Sequence, residues 1–445
     1  MAAAGGASPF IGAIRDEETN VVYSLIAVLG RGAYGAVYSA TDAGRLPATL
    51  AIKKFVNYRL PLRGGGGDDD SSGSSLEDLE YDKTFVEHEY RVSEAIRRRC
   101  GEAFCRERVA CALRRFFSRD GSLGYIVFPF AGSTLRDYLF AVQYAQMQQI
   151  ERRKDRAGYD PQTTILDLLT TREKTVERVR ADQTNERLRD RLYDLTDLLE
   201  DLLDFRDSIQ LRGLTLAYQL ANTFAILHRN RIFHRDIKPA NLAVKIVGAG
   251  IVEIETRVLD FGLACVEDLA PPAVDPGMGD DRERLRCPET FTGTVTYRDP
   301  YSYVLIADGG AGSRIDANGR FDVYSVGKVF QAIFDPRAYD HRSRSRFPIV
   351  RPARYMVAGL PELIERMTGE RGYRLPVFDA KLVHDGVLGP GTPELAFVKQ
   401  ITRDAERDSA YNRRPSMAAV VRELDRIITT WNDTGRDQTA KRRRK

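Results

Sequence analysis

Residues 230–244 read NRIFHRDIKPANLAV. Within them an imidazole, a carboxylate, two cations and an amide share eight positions: His234, Asp236, Arg235, Lys238 and Asn241. Ordinary turns need none of these groups. Ile232 and Phe233 precede the cluster, and Leu242, Ala243 and Val244 follow it. A short polar loop clamped between apolar stretches is where catalytic groups are held rigidly.

Three further stretches carry chemistry. LGRGAYGAV, residues 29–37, places Gly30, Gly32 and Gly35 between strand-like segments. Glycines let the backbone approach phosphate oxygens that a Cβ would obstruct. A dinucleotide site would have such glycines open a helix, whereas Ala36, Val37 and Tyr38 continue as a strand. LAIKKF then puts Lys53 eighteen residues after Gly35, on the next strand. From behind a glycine-rich hairpin it can reach α- and β-phosphates as a fixed positive charge. In VLDFGLA, Asp260 sits among Val258, Leu259 and Phe261, with Gly262 allowing a turn. A carboxylate in so apolar a run must be paired or bind a metal, because an isolated buried charge is too costly.

The elements that must position these groups are legible in outline. From Val21 to Phe55 the pattern alternates as strands do. RGGGGDDDSSGSS, residues 63–75, has no apolar residue and reads as a flexible acidic loop. Phe85, Tyr90, Val92 and Ile96 fall on helical spacings within 84–99. RVACALRRFF, the turn SRDGS and LGYIVFPF read as a two-stranded hairpin. Beyond AGSTLRDYLF a charged stretch runs over about 143–208, where Leu188, Leu192, Leu195, Leu199 and Leu202 follow a 4-3-4-3 rhythm. Ile165, Leu168, Leu169, Val176 and Val179 make an earlier stripe, and ADQTNE between them suggests the bend of a helical hairpin. Such a hairpin packs on itself or offers a docking surface to a partner. LRGLTLAYQLANTFAILHRN, residues 211–230, is a mostly apolar helix leading into the polar loop.

Bulk properties bound the answer. The 445 residues carry 67 basic and 63 acidic side chains, a net charge of +4, too balanced for nucleic-acid binding across the whole surface. Cys100, Cys105, Cys111, Cys265 and Cys287 form no CxxC pair, so neither a disulfide framework nor a structural zinc site is expected, and a reducing compartment is. No apolar run approaches bilayer length and the N-terminus lacks a basic leader, which suggests an intracellular protein without a membrane association. The terminal KRRRK, residues 441–445, is a candidate nuclear import signal.

Taken in order, the glycine-rich loop, strand lysine, HRDIKPAN and DFG resemble the eukaryotic-type serine/threonine protein kinases over about residues 21–431, insertions apart. The resemblance implies an α+β, two-lobed protein kinase fold: a small antiparallel sheet plus one helix in the N-lobe over 21–130, and a mainly helical C-lobe over 131–432. A tail over 1–20, an acidic insertion over about 56–83, a helical insertion over about 143–208 and a basic tail over 433–445 complete the expected division.

It also implies ATP and Mg2+ as cofactors and serine or threonine hydroxyls of proteins as acceptors. Gly30, Arg31, Gly32, Gly35 and Val37 would cover ATP, with Ala51, Phe128 as gatekeeper and the hinge to Ala131 around it. Lys53 would hold the α- and β-phosphates and pair with a helix glutamate, Glu89 or Glu87, the pattern favouring Glu89. Asp236 would orient the hydroxyl and take its proton, Lys238 would contact the γ-phosphate, and Asn241 and Asp260 would bind magnesium. Thr294 would bridge Asp236 and Lys238, and Asp322 would support the loop. Arg235 suggests an activation segment ordered by a phosphate, on Thr290 or, next best, Thr292.

One departure stands out. Where the family ends its activation segment with Ala-Pro-Glu, this chain has Asp299, Pro300 and Tyr301, so the usual ion pair to an arginine such as Arg414 cannot form and Asp299 is the candidate replacement. Two rivals follow: a pseudokinase that uses its helical insertion as a scaffold, and a kinase acting on a small molecule or lipid.

Overall fold

The computed structural model describes residues 10–32, 35–42, 47–56, 76–160, 165–247, 253–267, 293–294, 297–299, 315–335, 357–368 and 414–443. The chain divides into two compact units. One comprises Met1–Gly132, Ile226–Asp236 and Arg257–Gly293, the other Ser133–Ala225, Ile237–Thr256 and Thr294–Lys445. A curled antiparallel sheet and a mostly helical remainder give the α+β architecture that the resemblance implies.

The first unit is built on six strands: β1 (Gly12–Arg15), β2 (Val22–Gly32), β3 (Gly35–Thr41), β4 (Leu50–Val56), β5 (Arg114–Phe117) and β6 (Leu123–Pro129). They lie in the order β1-β2-β3-β4-β6-β5. The antiparallel register sets Val37 opposite Lys53 and Ala51 opposite Phe128. Directly opposed residues share a face, and the two-residue period puts all four on the same one. Phe55, Ile126 and Phe128 of that face pack against Val86 of α1 (Leu76–Cys100). The other face builds a separate core from Tyr23, Leu25, Ile52, Phe116, Tyr125 and Val127.

Among the described side chains of α1 the buried positions are Val86, Glu89, Val92, Ser93, Ala95 and Ile96, one stripe at three- and four-residue spacing. Burial of Val86, Val92 and Ile96 contributes about 1.5–3 kcal/mol each. The stripe therefore anchors the helix while presenting one carboxylate inward.

Four expectations need correction. The stretch 1–20, expected as a tail, contributes the edge strand β1, paired with β2; four residues are too short for alternation to announce them. The acidic insertion ends sooner than expected, because α1 already begins at Leu76; residues 57–75 lie outside the described residues. The basic tail is continuous with the helix Met417–Arg443. Finally, cysteines do pair: Cys105 and Cys111 form a disulfide and Cys265 is also disulfide-bonded. Spacing did not reveal the first pair because the short helix α2 (Glu102–Glu107) and the turn after it fold the six-residue interval back on itself.

The second unit starts with β7 (Ser133–Thr134) and α3 (Leu135–Tyr138), whose N-terminus is capped by the Thr134 hydroxyl accepting from the Asp137 amide at 3.1 Å. A six-residue π-helix, Leu139–Tyr144, leads into α4 (Ala145–Arg156), α5 (Ile165–Ala181) and α6 (Glu186–Arg229). The expected bend appears between α5 and α6. Leu168 of α5 and Leu195, Leu199 and Leu202 of α6 are buried. Arg172 donates to Thr196 at 3.2 Å, and Arg153 of α4 ion-pairs with Asp197 and Asp201. These helices thus pack on one another.

The boundary expected between the insertion and the apolar helix is absent: α6 runs without a break for 44 residues. Nothing in its sequence stops it, since its single glycine, Gly213, serves packing. A Cβ there would lie 2.5 Å from the Phe334 ring, so the glycine lets α6 approach the helix Ile315–Phe334 closely. Strands β8 (Leu242–Val247) and β9 (Glu253–Val258) complete a small sheet with β7, in the order β9-β8-β7. No helix among the described residues is long and apolar enough to cross a membrane.

Candidate active site

Lys53 sits mid-strand on β4, and its Nζ lies 2.7 Å from Glu89 Oε2 and 2.7 Å from Asp260 Oδ1. The alternative partner, Glu87, instead pairs with Arg115 at 2.6 Å and Arg91 at 3.7 Å. Burial works against the charge on Lys53, but the Asp260 and Glu89 carboxylates outweigh it and hold its pKa above the ordinary lysine value. Burial pushes Glu89 up to about 7, with Lys53 pulling it down and Asp260 adding to the rise. Only one Glu89 oxygen is paired; Oε1 is buried without a hydrogen bond.

Asp260 has φ 58° and Arg235 φ 67°, the left-handed region that costs a non-glycine residue about 1–3 kcal/mol. Such backbone persists where the surroundings over-determine it. His234 supplies part of that constraint: its Nδ1 accepts from the Asp236 amide at 3.3 Å, and its Nε2 reaches the Leu259 carbonyl at 2.8 Å. An accepting Nδ1 requires the neutral tautomer with the proton on Nε2, which then donates to Leu259. The ring also packs on Phe261, centroids 4.9 Å apart. One imidazole thereby ties the backbone of Asp236 to the residue before Asp260.

Two glycines are required by close approach. A Cβ on Gly35, at φ +145°, would collide with the Lys54 carbonyl oxygen. One on Gly293, at φ +123°, would lie 2.6 Å from the Arg235 carbonyl oxygen and 3.7 Å from Asp236 Oδ1. Gly30 faces open space, with nothing within 4 Å of its Cβ position. Open space over a glycine-rich strand fits a phosphate chain passing close to the backbone. Phe128 and Ala131 are buried, and Val37, Ala51 and Lys53 share the sheet face described above.

Within the second unit, Lys238 Nζ donates to Thr294 Oγ1 at 2.7 Å. Asn241, buried, ends the 3-10 turn Pro239–Asn241, and its amide N–H bonds the Lys238 carbonyl at 2.9 Å. Asp322 is buried in the helix Ile315–Phe334. Arg414 grips Asp299 through two nitrogens, with both side chains buried, and stacks over Tyr324 at 5.3 Å. Asp299 therefore takes the anchoring position expected of the missing glutamate. Thr290 and Thr292 lie outside the described residues.

Sequence reasoning passed over three tethers of α1. His88 Nε2 lies 2.8 Å from the Ala264 carbonyl oxygen, Arg97 donates to the Ala112 carbonyl at 2.8 Å, and Arg99 donates to the carbonyls of Asn230 and Glu267 at 2.9 and 2.8 Å. All four acceptors are backbone oxygens, which no sequence pattern advertises. Gly262 was read only as a turn. In fact a Cβ there would stand 3.3 Å from both Asp260 Oδ1 and Glu89 Oε2, so it also leaves room for the ion triad.

Comparison with known proteins points the same way. Residues 186–345 match the protein kinase domain family. Over 212 residues the chain is 29% identical to the serine/threonine-protein kinase pkn2 of Myxococcus xanthus, covering 42% of this chain and 23% of that protein. Over 142 residues it is 32% identical to the serine/threonine-protein kinase bur1 of Emericella nidulans, covering 32% and 23%. A 73-residue stretch is 37% identical to the serine/threonine-protein kinase ksp1 of Schizosaccharomyces pombe, covering 16% and 14%. The chain thus spans less than a quarter of the length of these relatives. Fold, motif order and these matches together establish that the chain contains a protein kinase domain resembling those of the serine/threonine protein kinases.

Proposed function

We propose that the chain is an ATP- and Mg2+-dependent kinase that phosphorylates serine or threonine hydroxyls of proteins. The observation that carries this is the ammonium of Lys53, held at 2.7 Å by two carboxylates from distant parts of the sequence. A cation fixed this way is pre-organised for phosphate oxygens and needs no rearrangement to meet them. A scaffold that had abandoned catalysis would have no need of a lysine held between a buried and a half-exposed carboxylate, the latter on a left-handed non-glycine residue.

The residues fit the cofactors. Asp260 offers carboxylate oxygen and Asn241 an amide oxygen, hard donors of the kind Mg2+ takes alongside phosphates and water. Bound there, the metal would offset the charge on the phosphate chain. Gly30, Arg31, Gly32 and Gly35 would lie over the phosphates, with Val37, Ala51, Phe128 and Ala131 around the base. Lys53 holds the α- and β-phosphates and Lys238 neutralises the γ-phosphate. Asp236 takes the proton of the acceptor hydroxyl as its oxygen bonds to phosphorus; the bond from phosphorus to the β-phosphate oxygen breaks and ADP leaves. Thr294 orients Lys238. A phosphate on Thr290 or Thr292 would pair with Arg235 and order the activation segment.

Phosphate transfer from labelled ATP to serine, threonine and tyrosine peptides, with lipid and small-molecule acceptors in parallel, tests this. Label on serine or threonine peptides is expected. ATP binding without transfer, after phosphorylation of the activation segment, would favour the scaffold; transfer to a lipid or small molecule alone would favour that acceptor class.

A further inference from the structure

The face of the sheet opposite Lys53 carries a second collection of polar groups that the kinase chemistry does not use. The two edge strands of the sheet are β1 and β5, and its curl brings them together: Asp16, directly after β1, ion-pairs with Arg114 of β5. Between β1 and the turn after β5 lies a cavity of about 310 Å3. Arg119 comes from the turn and Lys54 from β4, where strand alternation turns it away from Lys53, while β1 forms one wall along Gly12–Arg15. The Tyr38 and Tyr125 side chains line the same space, and Glu17 is its single acidic residue. Neither Lys54 nor Arg119 has a side-chain ion pair or hydrogen bond among the described residues. That contrasts with neighbouring Arg114 and Arg115, both paired to carboxylates.

We propose that this cavity binds a phosphorylated serine or threonine side chain of a partner protein, presented on an extended peptide. Two cations against one carboxylate favour an anion, and the Arg119 guanidinium fork matches phosphate oxygens. The volume is at the small end of ligand sites and suits one modified side chain with its neighbours rather than a whole nucleotide. The choice of a peptide over a lipid headgroup or free phosphate comes from the flanking strands. Edge strands present backbone donors and acceptors along their outer sides, which an extended peptide can pair with. The site uses none of the residues assigned to phosphate transfer and does not depend on that assignment.

The test is fluorescence anisotropy of the full-length protein, without nucleotide, against a labelled degenerate peptide pool with a fixed central phosphoserine. The unphosphorylated pool, inorganic phosphate and vesicles containing phosphoinositides run beside it. Expected is saturable, salt-sensitive binding of the phosphoserine pool, weakened at least tenfold by Arg119→Glu and by Arg119→Gln, at an exposed surface position. Peptide phosphorylation by these two variants should stay within twofold of the parent, which separates this cavity from the catalytic groups. Equal binding of both pools, undiminished binding by the variants, or capture of vesicles or free phosphate in preference to the pool would each overturn the proposal.

Discussion

Lys53 Nζ and Glu89 Oε2 stand 2.7 Å apart although 36 residues separate them in sequence, and Glu89 occupies the buried stripe of its helix among Val86, Val92 and Ile96. Helix packing and charge pairing are therefore one structural fact. Replacing Lys53 with Met leaves Glu89 buried opposite Asp260 with no cation between them. Breaking a buried pair costs about 3–5 kcal/mol. The variant should lose more than 100-fold in phosphate transfer, and at pH 8 its denaturant midpoint should fall. An unchanged midpoint at pH 8 would mean that the pair contributes nothing to folding.

The elevated Glu89 pKa gives this pair a pH signature. With its value raised to about 7, Glu89 accepts a proton as pH falls through neutrality and Lys53 keeps only Asp260 as a charged partner. Transfer should therefore weaken below about pH 7, and a Glu89→Gln variant should be slow throughout and lack this limb. Stability runs the opposite way. A carboxyl whose folded pKa exceeds its unfolded value stabilises the fold fully below that unfolded value, and the contribution disappears as pH rises through about 7. Paired pH series of activity and of chemical denaturation, parent against Glu89→Gln, read out both signs.

Asp299 and Arg414 replace the expected glutamate anchor with a shorter acid. Asp299→Ala removes the carboxylate that the buried Arg414 guanidinium grips and should lower stability by about 3 kcal/mol or more. Arg414→Lys should recover little, because a point charge cannot reproduce the two-nitrogen grip or the stacking on Tyr324. Thermal melts of the two variants check this; near-parental stability of Arg414→Lys would contradict it.

How much of this was legible in the sequence differs by residue. The glycines, Lys53, Asp236, Asn241 and Asp260 could be found because their chemistry is unusual for their surroundings: charges inside apolar runs, glycines inside a strand. Glu89 was legible only through the resemblance, which left Glu87 as its alternative. Asp299 could be suspected from what stood in place of a glutamate. By contrast, His88, Arg97 and Arg99 act on backbone carbonyls, which every residue possesses, so their partners follow only from the folded path. The continuity of α6 was missed because a leucine rhythm followed by an apolar stretch looks like two elements, although no residue between them breaks a helix. The disulfide depended on how α2 turns the chain, and β1 was too short to leave a pattern.

Gly293 illustrates a constraint that composition hides. At φ +123°, with the Arg235 carbonyl oxygen 2.6 Å from its Cβ position, alanine must push against the loop that bears Asp236. Gly293→Ala should lower kcat by at least tenfold while leaving ATP affinity near the parental value, since the displaced groups serve the acceptor side. Steady-state kinetics over ATP and peptide concentrations separate the two. A change confined to the ATP affinity would contradict this placement.

The most direct measurement is the transfer rate of Asp236→Asn against the parent, with nucleotide affinity measured on the same preparations. Asparagine keeps the size of the side chain and removes the base. If Asp236 takes the acceptor proton, the rate should fall by about 100-fold or more, the range expected on losing a general base, with ATP binding preserved. Transfer to serine or threonine peptides at an undiminished rate by Asp236→Asn would contradict the assignment of this loop as the catalytic one.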